Sequence, residues 1–161
     1  MKWLKAALVG ALGSLVMFAL MMLGIHGTGI APFNLPPSAA FLEQLGLNVG
    51  PVPLLVHFGY GATWSMVLIA LYGSDTDVRA GLTLAVALWL FMMLVYSPLI
   101  GWGVFGFGGA AHGLSPDNPL YLGSPVKYLG ATLLLHLIYG AIIGGLTPAW
   151  VELEAREGAS V

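Results

Sequence analysis

Four long apolar runs dominate the pattern of hydrophobic and polar positions along the chain. The runs cover residues 3–25, 51–73, 80–101 and 125–150. Each is long enough to cross about 30 Å of hydrocarbon as an α-helix, and none shows the strict alternation of a half-buried strand. The pattern predicts an all-α, four-helix integral membrane bundle in one domain of residues 1–161, with an up-down-up-down path. The connections at 26–50 and 102–124 are long and lie on one side, whereas the connection at 74–79 is short.

Helix start and stop signals mark several ends of these runs. Ser124 before Pro125 predicts an N-cap followed by proline at the first helical position, and Thr76 or Asp77 is placed to cap the third helix. Pro98 is expected to kink or end the third helix, because proline lacks the backbone N–H that a helix interior uses.

The long loops carry signals of their own. Residues 39–45 predict a short interfacial helix that is capped by Ser38 or Asn34 and ended by Gly46. In the second loop, Pro116-Asp117-Asn118-Pro119 predicts a turn. Three aromatic residues at its start are expected to anchor that loop at the lipid headgroups. They are Trp102, Phe105 and Phe107.

Composition supports the membrane assignment and excludes other classes. Of the 161 residues, 58% are hydrophobic and 7% are charged, against about 25% charged in an ordinary soluble domain. The chain has no cysteine, so it has no disulfides and no thiolate chemistry. No basic cluster exists that would neutralise a run of phosphates, which excludes nucleic acid as a partner.

The few basic residues predict an orientation. Lys2, Lys5, Arg79 and Arg156 fall on one side of the predicted path and Lys127 on the other. By the positive-inside rule both termini are cytoplasmic, in a multi-pass protein of the cytoplasmic membrane. The basic start resembles a signal peptide, but the apolar run that follows exceeds the 7–15 residues of a signal core, so we expect it to be retained.

An internal repeat is the most informative feature of the sequence. Residues 54–62 and 133–141 share the pattern L-L-x-H-x-x-Y-G-A, and residues 21–23 and 92–94 share Met-Met-Leu. Spans one and two would therefore match spans three and four as two tandem helical hairpins, related by an axis along the membrane normal.

The repeated motif places corresponding residues on matching helix faces. Stripes with a spacing of four residues run through the second and fourth spans, and each histidine is followed three residues later by a tyrosine. The stripes are His57, Gly61 and Ser65 in one span and His136, Gly140 and Gly144 in the other, with Tyr60 and Tyr139 beside them. Small residues at this spacing are typical of close helix contacts, and we expect the histidines to hydrogen-bond across the interface.

Other functions are compatible with the same residues. His57 and His136 are candidate axial ligands of a b-type haem between spans two and four, which would make the protein an electron-transfer component. A zinc or copper site built from His26, His57, His112 and His136 is a further alternative, although their separations match no ligand spacing. A transporter of a small neutral solute, lined by hydroxyl side chains of the spans, is another.

Catalytic signatures are missing from the sequence. It contains no Walker motif, no G-x-S-x-G elbow, no HExxH and no close carboxylate pair, and no ionisable side chain other than histidine and tyrosine lies in the middle of a span. We therefore expect no enzyme and no cofactor. The primary hypothesis is a non-catalytic accessory or scaffold subunit of a respiratory or photosynthetic membrane assembly, in contact with lipid and with other membrane subunits or copies of itself.

The order of motifs resembles an uncharacterised family of four-helix membrane proteins of bacteria and archaea. The likeness rests on residues 10–13 with Met17, on His57-Phe58 with Gly61, on residues 98–101 and on residues 136–140. The resemblance implies the four-helix fold and an energy-coupling membrane, and it implies no activity, cofactor or catalytic residue. The extended loop at 108–123 departs from the family's shorter pattern.

Overall fold

The computed structural model describes residues 1–151, which form four long helices joined by loops with short helices. The first and third long helices each continue into one π-helical turn. In chain order the α-helices are α1 (Lys2–Met22), α2 (Pro37–Gln44), α3 (Val52–Tyr72), α4 (Val78–Phe91), α5 (Ser97–Ile100), α6 (Gly109–His112) and α7 (Pro125–Trp150). The π-helical turns are Leu23–Gly27 after α1 and Met92–Tyr96 between α4 and α5.

Four helical segments are long and apolar enough to cross a membrane. They are Lys2–Gly27, Val52–Asp75, Val78–Ile100 and Pro125–Trp150. The prediction of an all-α bundle with four apolar spans is confirmed, and the chain is a multi-pass membrane protein. The third span begins two residues before the predicted Ala80, because Asp77 rather than a later residue provides its cap.

Two helix caps agree with the sequence prediction. The Asp77 carboxylate accepts a hydrogen bond from the Ala80 N–H at 2.7 Å, and the Ser124 hydroxyl accepts one from the Lys127 N–H at 3.4 Å. The third span changes from π-helix to α5 at Ser97, directly before Pro98, and it ends at Gly101 with a φ of 92°. A π turn at this place fits the missing N–H of proline, because the carbonyl one turn before the proline then has no α-helical partner.

The long helices form two tightly packed antiparallel pairs. In the first pair, a Cβ on Gly10 of α1 would collide with the Gly61 carbonyl of α3 and lie 2.7 Å from the Ser65 Cβ. In the second pair, a Cβ on Gly81 of α4 would collide with the Gly140 carbonyl of α7 and lie 2.8 Å from the Gly144 Cα. Only glycine permits this backbone approach, and it occurs at the same positions of the repeated motif in both pairs.

The two pairs meet through α1 and α7. Gly13 of α1 receives the ring of Tyr139, whose Cδ2 atom would lie 2.9 Å from an added Cβ, and Ile143 packs beside it. Helices α3 and α4 make few contacts with each other. The bundle therefore has a closed seam between α1 and α7 and a gap between α3 and α4.

The second long loop folds over the end of the bundle and not along its surface. Trp102 is completely buried, stacks on Phe33 at a centroid distance of 6.0 Å and donates a hydrogen bond from its indole N–H to the Leu120 carbonyl at 2.9 Å. The prediction of a headgroup anchor is therefore wrong for Trp102, because the two loops supply an apolar enclosure for the ring. Phe107 is exposed.

The first loop also differs in detail from the prediction. Helix α2 has Pro36 at its N-cap position, without a side-chain cap, so the expected cap by Ser38 or Asn34 is wrong. The Asn34 amide instead donates to the carbonyls of Pro116 and Asn118, at 2.6 and 2.9 Å. The side chain thereby ties the two loops together at the predicted proline turn.

The close glycine contacts predict that a larger residue at one of these positions destabilises the bundle. Gly81→Ala inserts a methyl group against the backbone of α7, and we expect it to lower the free energy of unfolding in detergent by about 1–3 kcal/mol. Gly130→Ala is the matched control, because nothing lies within 4 Å of a Cβ at that position. Denaturant titration followed by circular dichroism measures both, and equal stability of the two variants would refute the packing account.

Candidate functional site

The gap between α3 and α4 contains a cavity of about 100 Å³, in the half of the bundle next to the long loops. All four spans contribute to its walls, and Pro37 and Ser38 of α2 lie at its loop end. The lining is mostly apolar, with a few side chains that carry hydrogen-bonding groups. These are Ser14, Ser38, His57, Tyr60, Tyr96, Thr132, His136 and Tyr139.

His57 lies on the α3 wall and is bonded to α1. Its Nε2 is 3.0 Å from the Ser14 carbonyl oxygen, and because a carbonyl only accepts, this nitrogen carries the proton. The ring also lies against Phe18, with centroids 5.7 Å apart. His57 therefore makes the cross-helix hydrogen bond expected from the sequence.

His136 lies on the α7 wall and does not bond to another helix. Its Nδ1 is 2.8 Å from the carbonyl of Thr132, one turn earlier in the same helix, so Nδ1 is the donor. The side chain is 6% exposed and borders the cavity. The expected cross-helix bond is wrong for His136, because its ring bonds the Thr132 carbonyl of its own helix instead.

The two tyrosines of the repeat have different roles. The Tyr139 hydroxyl donates to the Gly61 carbonyl at 2.5 Å, and so it joins α7 to α3 across the bundle. Tyr60 is 42% exposed at the rim of the cavity, with its ring 5.9 Å from that of Trp64. The matching motifs thus place Tyr139 in an interhelical hydrogen bond and Tyr60 at the rim of the cavity.

The predicted packing residues lie in the helix contacts. Gly61 and Ser65 are buried against α1, and Gly140 and Gly144 are buried against α4. The sequence pattern did not indicate the α1 and α4 residues that complete the cavity, such as Met17, Phe91 and Met92. Pro98 follows the π turn at Met92–Tyr96, and in the sequence it indicated an irregularity of the third helix at this place.

Haem binding would require a suitable placement of the two histidines and a sufficiently large cavity. The structure brings His57 and His136 to the same cavity, although they lie at different distances from the starts of their helices. Cofactor pockets typically have volumes of about 300–1,000 Å³. Haem binding would therefore require the cavity to widen several-fold and His57 Nε2 to release the Ser14 carbonyl.

The other two histidines lie away from the cavity. His26 is exposed in the first π turn, whereas His112 is half-buried, with its ring nitrogens 2.6 Å from the Leu122 carbonyl and 3.0 Å from the Gly106 carbonyl. His112 therefore fastens the second loop. Within residues 1–151 no three His, Asp or Glu side chains are grouped so that they would hold a metal ion.

No protein-family model matches the chain, and no curated protein or solved structure matches it. The resemblance to the four-helix family stays a prediction from the motifs.

The different positions of Tyr139 and Tyr60 predict different effects on stability when each is replaced by phenylalanine. Tyr139→Phe removes the hydroxyl that bonds the Gly61 carbonyl, and we expect the free energy of unfolding to fall by about 0.6–1.7 kcal/mol, from the average to the largest value found for interhelical hydrogen bonds in a membrane protein. Tyr60→Phe is the repeat-matched control and is expected to change stability by less. Unfolding in detergent micelles compares the two, and a larger loss for Tyr60→Phe would contradict the assignment.

Proposed function

We propose that the protein is a non-catalytic accessory or scaffold subunit of a larger respiratory or photosynthetic assembly in the cytoplasmic membrane. The observation that carries the proposal is the outward face of α7. Exposed residues repeat along this face with helical spacing, and several of them are small. They are Val126, Gly130, Leu134, Ala141, Gly145 and Pro148.

Small residues on this face leave room for another helix. Nothing lies within 4 Å of a Cβ built on Gly130, and Ala141 is exposed on the same face about three helical turns further along. In lipid, helices associate where small side chains let their backbones approach, because burial of apolar surface gives little net gain there. We infer that a transmembrane helix of another subunit packs on this face.

The internal polar groups support a structural role. Thr132 donates to the Tyr128 carbonyl at 2.6 Å and receives the indole N–H of Trp89 at 3.1 Å, which links α4 to α7. Ser97 donates to the Gly103 carbonyl at 2.8 Å. Both side chains belong to the hydroxyls of the spans that a solute path would use, and both make hydrogen bonds within the protein.

The proposed orientation has both termini in the cytoplasm. Lys2 and Lys5 at the start of α1 and Arg79 at the start of α4 lie at the end of the bundle opposite the long loops, and Lys127 lies at the loop end. Arg156 lies outside the described residues. The matched glycine contacts of α1 with α3 and of α4 with α7 support an origin in two tandem hairpins.

Cysteine labelling tests the orientation directly, since the chain has no cysteine of its own. In intact cells, Asp117→Cys should react with a membrane-impermeant maleimide, because it lies in the second long loop. Ser74→Cys should react only after the cells are opened, because it lies in the short connection before α4. The reverse pattern would overturn the proposed orientation.

Association through α7 is tested by enlarging its small residues. Gly130→Leu and Ala141→Leu should abolish migration in a larger complex on native gels of detergent-solubilised source membranes, because leucine keeps a partner helix at a distance. Gly59→Leu is the control, since an added Cβ at Gly59 also meets nothing within 4 Å but lies on α3. Migration of the unaltered protein only as a monomer would contradict the proposal.

A further inference from the structure

The cavity between α3 and α4 combines a mostly apolar wall with a buried histidine side chain. Its surface is largely apolar, yet His136 forms part of the wall while 6% exposed. An entirely apolar cavity of about 150 Å³ in a protein core stays dry and accepts a molecule of the size of benzene. A space of about 100 Å³ with one open side accepts a single ring or a short chain segment.

The hydrogen-bonding state of His136 defines what the cavity recognises. Nδ1 donates its proton to the Thr132 carbonyl, so Nε2 of the neutral ring is an acceptor. Among residues 1–151, no side chain or backbone group bonds this Nε2. Because the His136 side chain is 6% exposed and borders the cavity, a ligand in the cavity that donates a hydrogen bond would supply the partner that this acceptor lacks within the protein.

The position of the cavity defines the direction of entry. The rim of the cavity lies in the gap between α3 and α4, on the outer surface of the bundle. Its exposed residues are Val56 and Tyr60 of α3 and Phe91 of α4. At the loop end, α2 covers the cavity, and the ring of Phe41 lies 4.6 Å from that of Tyr96. A ligand therefore enters sideways from the lipid and not from the aqueous loops.

The third span is also shaped around this space. Met92 and Tyr96, at the two ends of the π-helical turn, both line the cavity. Single π turns inside α-helices occur frequently at functional sites, because they displace side chains from the regular helix surface.

We propose that this cavity binds the hydroxyl-bearing end of an apolar molecule that enters from the bilayer, with the hydroxyl donating to His136 Nε2. The ligand class is a phenol or an alcohol with an apolar body. A membrane lipid with a terminal hydroxyl and a free, lipid-soluble phenol or alcohol share this chemistry. This site is independent of the contact face proposed on α7, which lies on the opposite side of that helix.

Binding is measured by ¹⁹F NMR on the full chain in lipid nanodiscs, with 4-fluorophenol as the donor probe and 4-fluorotoluene as its near-isostere without a donor. Empty nanodiscs correct for partition of each probe into lipid. We expect saturable binding of one 4-fluorophenol per chain and about tenfold weaker binding of 4-fluorotoluene, the factor of one net hydrogen bond. Absence of saturable binding, or equal affinity for both probes, would overturn the proposal.

Two variants locate the site. Val56→Trp fills the rim without removing a buried contact and should abolish binding of both probes, whereas His136→Phe keeps a ring and should make the two affinities equal. Leu55→Trp, at the neighbouring exposed position of α3 and outside the cavity wall, is the control and should bind as the unaltered chain does. If His136→Phe does not fold, Val56→Trp decides, and unchanged binding by Val56→Trp would refute the location.

The source of the natural ligand is identified by organic extraction and mass spectrometry of the purified protein. One hydroxylated lipid per chain that is missing from Val56→Trp supports the site and identifies a lipid. Saturable probe binding without such a lipid supports the site and identifies a free phenol or alcohol.

Discussion

The close approach of two pairs of backbones is the constraint on which the rest of the structure depends. Gly10 lies against Gly61, and Gly81 lies against Gly140, so closely that any side chain at these positions would enter the facing backbone. In a bilayer, lipid tails are as apolar as leucine, and helices gain their association energy mainly from tight packing and interhelical hydrogen bonds. At the two glycine contacts the paired backbones approach each other with no room for an intervening side chain.

Strong pairing within each hairpin leaves a weaker contact between the hairpins. Helices α1 and α7 meet around Gly13 and Tyr139, while α3 and α4 stay apart and enclose the cavity. A strict twofold arrangement would bring α3 and α4 as close as α1 and α7. The departure from symmetry is what separates the role of Tyr139, which bonds the Gly61 carbonyl, from that of Tyr60 at the rim.

The loops close one end of the bundle and give the cavity its sideways access. Trp102, Phe33 and Tyr128 form a buried aromatic group, and His112 and Asn34 bond loop carbonyls beside it. With α2 over the cavity, the loop end is covered, whereas the side between α3 and α4 faces lipid. The outward face of α7 and this opening lie on different sides of the molecule, so the proposed partner helix and the proposed ligand would not compete for the same surface.

The four spans, the Ser124 cap and a cap at Thr76 or Asp77 could be predicted from the sequence, because span length, hydropathy and capping depend on residues close together along the chain. The structure shows that Asp77 is the cap. The sequence also identified both halves of the repeated motif. The difference between the two halves could not be predicted, because the Tyr139 to Gly61 bond and the His57 to Ser14 bond join residues 78 and 43 positions apart. Trp102 was misplaced for the same physical reason: its enclosure comes from Phe33 and Tyr128, and the pattern around an aromatic residue does not show whether lipid or a distant segment covers it.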